Sequence, residues 1–286
     1  MLKLTDDDFN RLVDYMKKNY GINLEKKRVL IEGRLSNMVT ARGFKSFKEF
    51  IDFAFADRTG NETMQLVNKL TTNHTFFLRE PEHFEFLKTT ILPYLEQQNA
   101  KTRTIDIWCA ASSTGQEPYT LVMTIEDYFG ARASQWNYSL LATDLDTDVL
   151  KTAQNGIYTE ELLKDVPQAW LSKYFKKLDD KSYQVIDSLR RKITFRQFNL
   201  MDKIPVGKTY DLISCRNVMI YFEQETKNAL IDRFYDVTKE GGYLYIGHAE
   251  SAGKNTRYTY VKPAVYRKLS DKPKQPSIRP LFTSSR

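Results

Sequence analysis

Thiols and imidazoles are scarce in this 286-residue chain, which has two cysteines and three histidines. Cys109 and Cys215 each sit in a short apolar run, IDIWCA and DLISC, the setting of a packed, reduced thiol rather than a disulfide or a metal cage. A reducing compartment is therefore expected. His74, His83 and His248 have no metal-ligand spacing, so no metal is expected. No window approaches the ~18 consecutive apolar residues of a membrane span, and the N-terminus MLKLTDDDFNRL lacks a basic segment followed by an apolar one. The expectation is a cytoplasmic protein without membrane insertion. Hydrophobic residues at 41% and charged residues at 28% are ordinary for a globular chain and exclude wholesale disorder. The net charge of +7 favours an acidic partner without saying which kind.

Up to about Leu92 the sequence reads as helices: DDDFNRLVDYMKKNYG, KKRVLIEGRLSNMVTARG, SFKEFIDFAFAD and NETMQLVNKLTTN. Apolar residues recur three and four apart, as in Phe9, Leu12, Val13 and Met16. The second helix carries Lys26, Lys27, Arg28, Arg34 and Arg42 against only Glu25 and Glu32. Such a face is either a solvated surface or a docking surface for an acidic partner. From Thr104 short apolar strands alternate with helices, TIDIWCA, YSLLATD, KITFRQFN, YDLISCR and GGYLYIGH. That alternation predicts an α/β fold with a doubly wound, largely parallel sheet. The connection before KITFRQFN is too long to be simple, and KYFKKL, a turn at Asp179 and Asp180, then SYQVI predict a small β insertion over about 157–192. The expected organisation is a helical domain over 1–92, a sheet domain over 93–269 and a disordered tail over 270–286.

Glycine is missing where a nucleotide fold most needs it. The strand–turn–helix Ile105 to Met123, IDIWCAASSTGQEPYTLVM, has one glycine in its turn, whereas a dinucleotide turn needs G-x-G-x-x-G to bring backbone against a pyrophosphate. Glu117 at the helix start would repel a phosphate. A ligand with ribose hydroxyls, an adenine and a positive charge suits this turn better, and S-adenosylmethionine has all three. The second strand ends in ATDLD, which places Asp144 or Asp146 at the carboxyl end of the sheet. Asp144 is the candidate for the ribose hydroxyls; Asp146 and Thr147 read as helix-capping residues. In YDLISCRNVMIYFEQE a strand runs into Arg216, Asn217, Tyr221 and Phe222, which would face a ligand in the crevice beyond the strand ends. No His–Asp or Cys–His pair is evident, which agrees with transfer to a carboxylate, an acceptor ionised at neutral pH without a base.

Taken together, TTNHTFFLREPEHF, IWCAASSTGQEPYTLVM, LATDLD, FRQFNL, CRNVMIYF and GHAES, in this order and spacing, resemble the bacterial chemotaxis receptor methyltransferases of the CheR type. The similarity runs from the N-terminal helices to about Leu269. It implies an S-adenosylmethionine-dependent protein-glutamate O-methyltransferase that releases S-adenosylhomocysteine. The substrates implied are glutamates on the cytoplasmic helical domain of chemoreceptors, and the protein would act as a monomer without nucleic acid. By motif, the family's donor-binding positions fall on Asn73, Thr75, Arg79, Glu117, Asp144, Asn199, Leu200, Arg216 and Asn217. The first three lie in a joining segment, residues 71–82, that the sheet pattern alone does not reveal. Arg79 is suited to the donor's methionine carboxylate, and Tyr221 with Arg79 are the candidates for orienting groups in catalysis. The resemblance also assigns Lys27, Arg28, Arg34 and Arg42 to receptor contact.

Some members dock a receptor C-terminal peptide on the β insertion, but the loop around Asp179 is short and lacks glycine, which weighs against a tether here. Gln116 replaces the first of two usual glutamates, and Cys109 and Ala249 stand where serine is more frequent. Two competitors stay open. A nucleic-acid methyltransferase would interleave aromatic platforms with the basic residues, and a non-catalytic sensor would bind the donor and signal by docking.

Overall fold

The computed structural model describes residues 2–205 and 207–269. The tail expected over 270–286 lies outside the described residues. Four helices open the chain: α1 (Asp6–Tyr20), α2 (Arg28–Ala41), α3 (Phe47–Ala56) and α4 (Asn61–Leu70). α1 starts where the Thr5 hydroxyl accepts from the Asp8 amide, with three acids in its first turn, and it stops at Gly21, whose φ of 71° is left-handed. Leu12, Val13 and Met16 of α1 and Ile31, Leu35 and Val39 of α2 are buried, so each helix turns one stripe inward.

The short α5 (Glu82–Phe86), one π-helical turn at Leu87–Ile91 and α6 (Leu92–Gln98) lead into the sheet. There the chain alternates β1 (Thr104–Ala110), α7 (Gln116–Phe129), β2 (Asn137–Asp144) and α8 (Thr147–Asn155). The insertion follows as β3 (Ile157–Thr159), α9 (Gln168–Tyr174), β4 (Phe175–Lys177), β5 (Ser182–Val185) and α10 (Asp187–Arg190). The sheet then resumes with β6 (Ile193–Gln197), β7 (Tyr210–Cys215), α11 (Gln224–Val237), β8 (Thr238–Tyr245), β9 (Thr259–Lys262) and β10 (Val265–Arg267).

Seven strands lie in the order β6-β2-β1-β7-β8-β10-β9, and a separate three-stranded sheet has the order β3-β5-β4. The first five strands are parallel; β10 and β9 are antiparallel. The last hairpin goes beyond the five strands read from sequence. It forms in TRYTYVKPAVYRK around Pro263 and Ala264, the latter at φ 62°, and its short strands give a weak pattern. Strand order reverses between β1 and β7, which opens a crevice at their carboxyl ends.

One buried cluster runs without a break from α1–α4 into the sheet face bearing Trp108, Ile213 and, on α11, Phe234. A second cluster fills the opposite face, with Leu92, Leu121 and Tyr245. The helical portion is thereby seated on the sheet by apolar packing rather than tethered beside it. At the amino end of the strands Lys239 Nζ bridges Asp106 at 2.9 Å and Asp211 at 2.7 Å, and Asp211 also accepts from the Asp106 amide at 2.7 Å.

Candidate functional site

At the opposite, carboxyl end lies a cavity of about 350 Å³, within the range of small-molecule sites. Its floor begins at the turn after β1. Ala111 and Ser113 are left-handed at φ 61° and 49°, and the turn closes with Ser112 N donating to Thr143 O at 2.9 Å and Ser113 N to Asp144 Oδ2 at 2.8 Å. The lone glycine, Gly115, serves packing: at φ 97° a Cβ there would fall 2.8 Å from the Tyr158 hydroxyl and 2.9 Å from Ala153. Backbone approach to a phosphate is not its task.

Asp144 ends β2 and is 8% exposed. It accepts only backbone donors, Ser113 N and Asp146 N at 2.9 Å, and no cation lies within ion-pair distance among the described residues. Burial pushes its carboxyl up to about 6, with the Asp146 and Ser113 amides chief among those pulling the other way. A carboxylate has about four acceptor positions, so capacity remains for ribose hydroxyls. Asp146 caps α8 by accepting from Asp148 N and Val149 N, as its sequence position suggested.

On the far wall the Arg216 guanidinium, 1% exposed, is held between two acids. Its Nη1 lies 3.0 Å from Glu117 Oε2, and its Nη2 lies 3.1 Å from Glu80 Oε2 and also donates to Arg79 O. Burial alone would raise the Glu80 carboxyl, but the His83 ring, the Arg216 charge and the His248 amide bring it well below the usual carboxylate range. One cation between two carboxylates leaves this wall net negative. A ligand bearing a sulfonium and an ammonium is thus favoured over a phosphate. Arg79 supplies the complementary charge: it lines the cavity, donates to His74 O at 2.8 Å, and has no ion-pair partner among the described residues.

All ten donor-binding and catalytic candidates, Asn73, Thr75, Arg79, Glu117, Asp144, Asn199, Leu200, Arg216, Asn217 and Tyr221, lie on the wall of this one cavity. Several are already engaged. Asn73 Nδ2 donates to Asp146 at 2.7 Å, and Asn199 Nδ2 donates to Asn19 O at 2.8 Å. Gln116 is buried and accepts from Thr114 Oγ1 at 2.8 Å, so this departure from the usual glutamate is absorbed within the turn.

Most of the basic side chains expected for receptor contact are engaged with their own chain. They do not form one open stripe. Arg28 reaches Asp6 at 2.7 Å and Leu4 O, Arg34 donates to Leu70 O at 3.0 Å, Thr71 O and Thr72, and Arg42 pairs with Glu62. A guanidinium has five donors, and nearby carbonyls and carboxylates capture them when they lie within reach. Lys27 remains exposed and lines the cavity mouth together with Arg34.

Two features escaped the sequence. Tyr20, Ile22, Leu24 and Leu30 of the helical portion complete the cavity wall, which periodicity cannot foretell because it marks buried stripes rather than partners across space. The second is a cluster: Glu80, His83 and His248 bring ligand-type atoms within 4.8 Å of one another. Arg216 occupies the same Glu80 oxygen, and burial keeps His83, stacked on Tyr245, below the usual imidazole value. Glu80 is the hub, accepting from Arg216, Asn217 and the His248 amide, and a guanidinium at its Oε2 disfavours a second cation there.

The fold and cavity define an α/β protein that binds a cationic nucleoside, the class of S-adenosylmethionine-dependent methyltransferases. Residues 73–266 match the family description "CheR methyltransferase, SAM binding domain", and residues 7–71 match "CheR methyltransferase, all-alpha domain". The chain is 42% identical over 272 residues to a chemotaxis protein methyltransferase of Borreliella burgdorferi, covering 93% of this chain and 96% of that one. It is 33% identical over 271 residues to the chemotaxis protein methyltransferase of Escherichia coli, covering 93% and 92%. A solved structure, the plantazolicin methyltransferase BpumL in complex with SAH, overlays 76% of this chain and 61% of its own at 12% identity and a TM-score of 0.35. The chain belongs to the CheR methyltransferase family, and its methyl donor is S-adenosylmethionine. Among the described residues no helix is long and apolar enough to cross a membrane.

Proposed function

We propose that the protein esterifies glutamate side chains on the cytoplasmic helical domain of chemoreceptors, as a protein-glutamate O-methyltransferase. The observation that carries this is the chemistry of the cavity: Arg79 and Tyr221 on its wall can donate to an acceptor carboxylate, Glu117 is held by Ser214 and Arg216, and the acceptor positions that Asp144 keeps free suit the ribose hydroxyls. His74 also lines the cavity, with no carboxylate at ion-pair distance among the described residues, and an acceptor carboxylate does not need a base. When bound, S-adenosylmethionine supplies a methyl group on a positively charged sulfur. Asp144 takes the ribose hydroxyls, the Glu80–Arg216–Glu117 wall faces the positive charge, and Arg79 pairs with the methionine carboxylate. Tyr221 donates to one oxygen of the acceptor and leaves the other in line with the methyl. Positioning of the acceptor in the cavity, with loss of its water, can supply several kcal/mol.

Residues 1–92 are the receptor-facing portion in this reading, 71–82 the segment shared with the donor site, and 93–269 the catalytic portion. Receptor contact falls on the outer groove at the start of α2, where Lys26, Lys27, Val29 and Gly33 lie beside the cavity mouth. Val29 is 84% exposed, which suits a helix that docks an apolar stripe and presents acids to the lysines. The family relatives named chemotaxis protein methyltransferases support the substrate class. The test is transfer of labelled methyl from S-adenosylmethionine to a chemoreceptor cytoplasmic fragment, followed by mild alkali. Base-labile label released as methanol is the expected result. Stable label, or label transferred only to nucleic acid, would overturn the reading.

A further inference from the structure

The segment from Arg216 to Phe222, between β7 and α11, carries both Asn217 and Tyr221 to the cavity wall. Its backbone depends on an outside support. Asn217 is left-handed at φ 59°, and its amide donates to Glu250 Oε2 at 3.1 Å. The Ile220 amide donates to Glu250 Oε1 at 3.1 Å, and the Gly247 amide to Oε2 at 2.6 Å. Close approach is built in, since a Cβ at Gly247 would fall 2.7 Å from Asn217 Oδ1. From the other side Glu80 Oε1 accepts from Asn217 Nδ2 at 3.3 Å, and the Asn23 amide donates to Tyr221 O at 2.9 Å. Glu250 does not line the cavity, and three amides rather than a cation answer its charge. Burial pushes its carboxyl up while those amides hold it back, as a charge kept in place for its acceptor capacity would behave.

We propose that Glu250 is a positioning residue for methyl transfer: by gathering the amides of Gly247, Asn217 and Ile220 it fixes the turn that presents Tyr221 to the acceptor. This rests on the reading of Tyr221 as the acceptor-orienting group. Donor affinity should change little, because Asp144 and Glu117 are held by other elements and the Asn217 side chain keeps its own bond to Glu80. The test uses the full chain with Glu250→Gln and Glu250→Asp, each alone and combined with Tyr221→Phe. Methyl transfer to the chemoreceptor fragment is measured alongside S-adenosylhomocysteine affinity by calorimetry. Glu250→Gln keeps one acceptor atom but turns an N–H donor toward the amides, so kcat should fall about 10- to 100-fold with affinity changed less than about threefold. On a Tyr221→Phe background the same change should cost less than about twofold, because the two act as a unit. Glu250→Asp, still charged, should recover part of kcat, and it carries the same test if Glu250→Gln does not fold. Multiplied losses in the double variant, or equal losses of affinity and kcat, would overturn the proposal. Full transfer by Tyr221→Phe alone fails differently: it removes Tyr221 from the reaction, and this role for Glu250 with it.

Discussion

Asp106 and Asp144 stand on neighbouring parallel strands, at opposite ends of one sheet, and burial pushes the carboxyls of both upward. At Asp106 the ammonium groups of Lys239 at 2.9 Å and Lys208 at 3.2 Å more than reverse that push, and it stays below its ordinary value. At Asp144 no cation answers, two amides only partly offset burial, and it rises to about 6. The difference separates two uses of a buried acid. Saturated at the amino end, it joins strands; left with spare acceptor capacity at the carboxyl end, it waits for a ligand's donors.

The sharpest way to break this comparison is Asp144→Asn. The amide keeps one acceptor for the turn but cannot serve both ribose hydroxyls, and hydrogen bonds to a charged group are worth about 1.5–3 kcal/mol. S-adenosylhomocysteine affinity should fall about 10- to 150-fold by calorimetry, with the thermal midpoint near that of the unaltered protein. Affinity within threefold would remove Asp144 from the donor site. The reciprocal change, Lys239→Met, leaves the buried Asp211 without its cation and Asp106 with Lys208 alone. The ammonium is partly exposed, so the penalty sits below that of a fully buried pair, about 2 kcal/mol in urea unfolding. Donor affinity should be untouched, and a parallel loss would mean that the two ends are coupled.

Acid titration gives the same comparison with opposite signs. Asp144 has a folded value above its unfolded one, so the stability it contributes is present below the unfolded value near 4 and is lost as pH rises toward about 6. Asp106 is lowered by folding, so its contribution is present above about 4 and is lost as pH falls further. Donor affinity should therefore drop on acidification through about 6, by about tenfold between pH 7 and 5, while the fold persists. In Asp144→Asn that limb should be flat. A flat profile in the unaltered protein would mean that the site binds its donor with Asp144 protonated.

How much of this was legible in the sequence follows the range of each signal. Strand and helix identity rests on local periodicity, so β1, β2, β6, β7 and β8 could be read along with the cap at Asp146. Asp144 could be placed at the carboxyl end of the sheet because the apolar run of β2 stops there. The edge hairpin at Thr259–Lys262 and Val265–Arg267 was missed because such short strands barely alternate. Glu80 and Glu250 were invisible as hubs, since their partners lie 136 and 33 residues away. The joining segment was found by resemblance alone. Its polar residues make sense only when Asn73 meets Asp146 and Arg34 meets Thr72 across the two portions.

The smallest effect repeats the comparison on the surface of α2, where Arg28 is saturated and Lys26 is not. Arg28 holds Leu4 O and Asp6 and packs 5.0 Å from the Phe9 ring centroid, so Arg28→Glu should first loosen the start of α1, by less than about 1 kcal/mol. Lys26 is exposed on the outer groove with no acid within ion-pair distance among the described residues. Lys26→Glu should leave unfolding unchanged and slow methylation of an acidic chemoreceptor fragment about three- to tenfold at low salt, since rim charges act mainly on encounter. In ~1 M salt, where screening reaches about 3 Å, the difference should vanish. A slowing by Arg28→Glu that matched Lys26→Glu, with no loss of stability, would show that an arginine already bound to its own chain still steers the partner. Spare charge would then not be what selects the docking face.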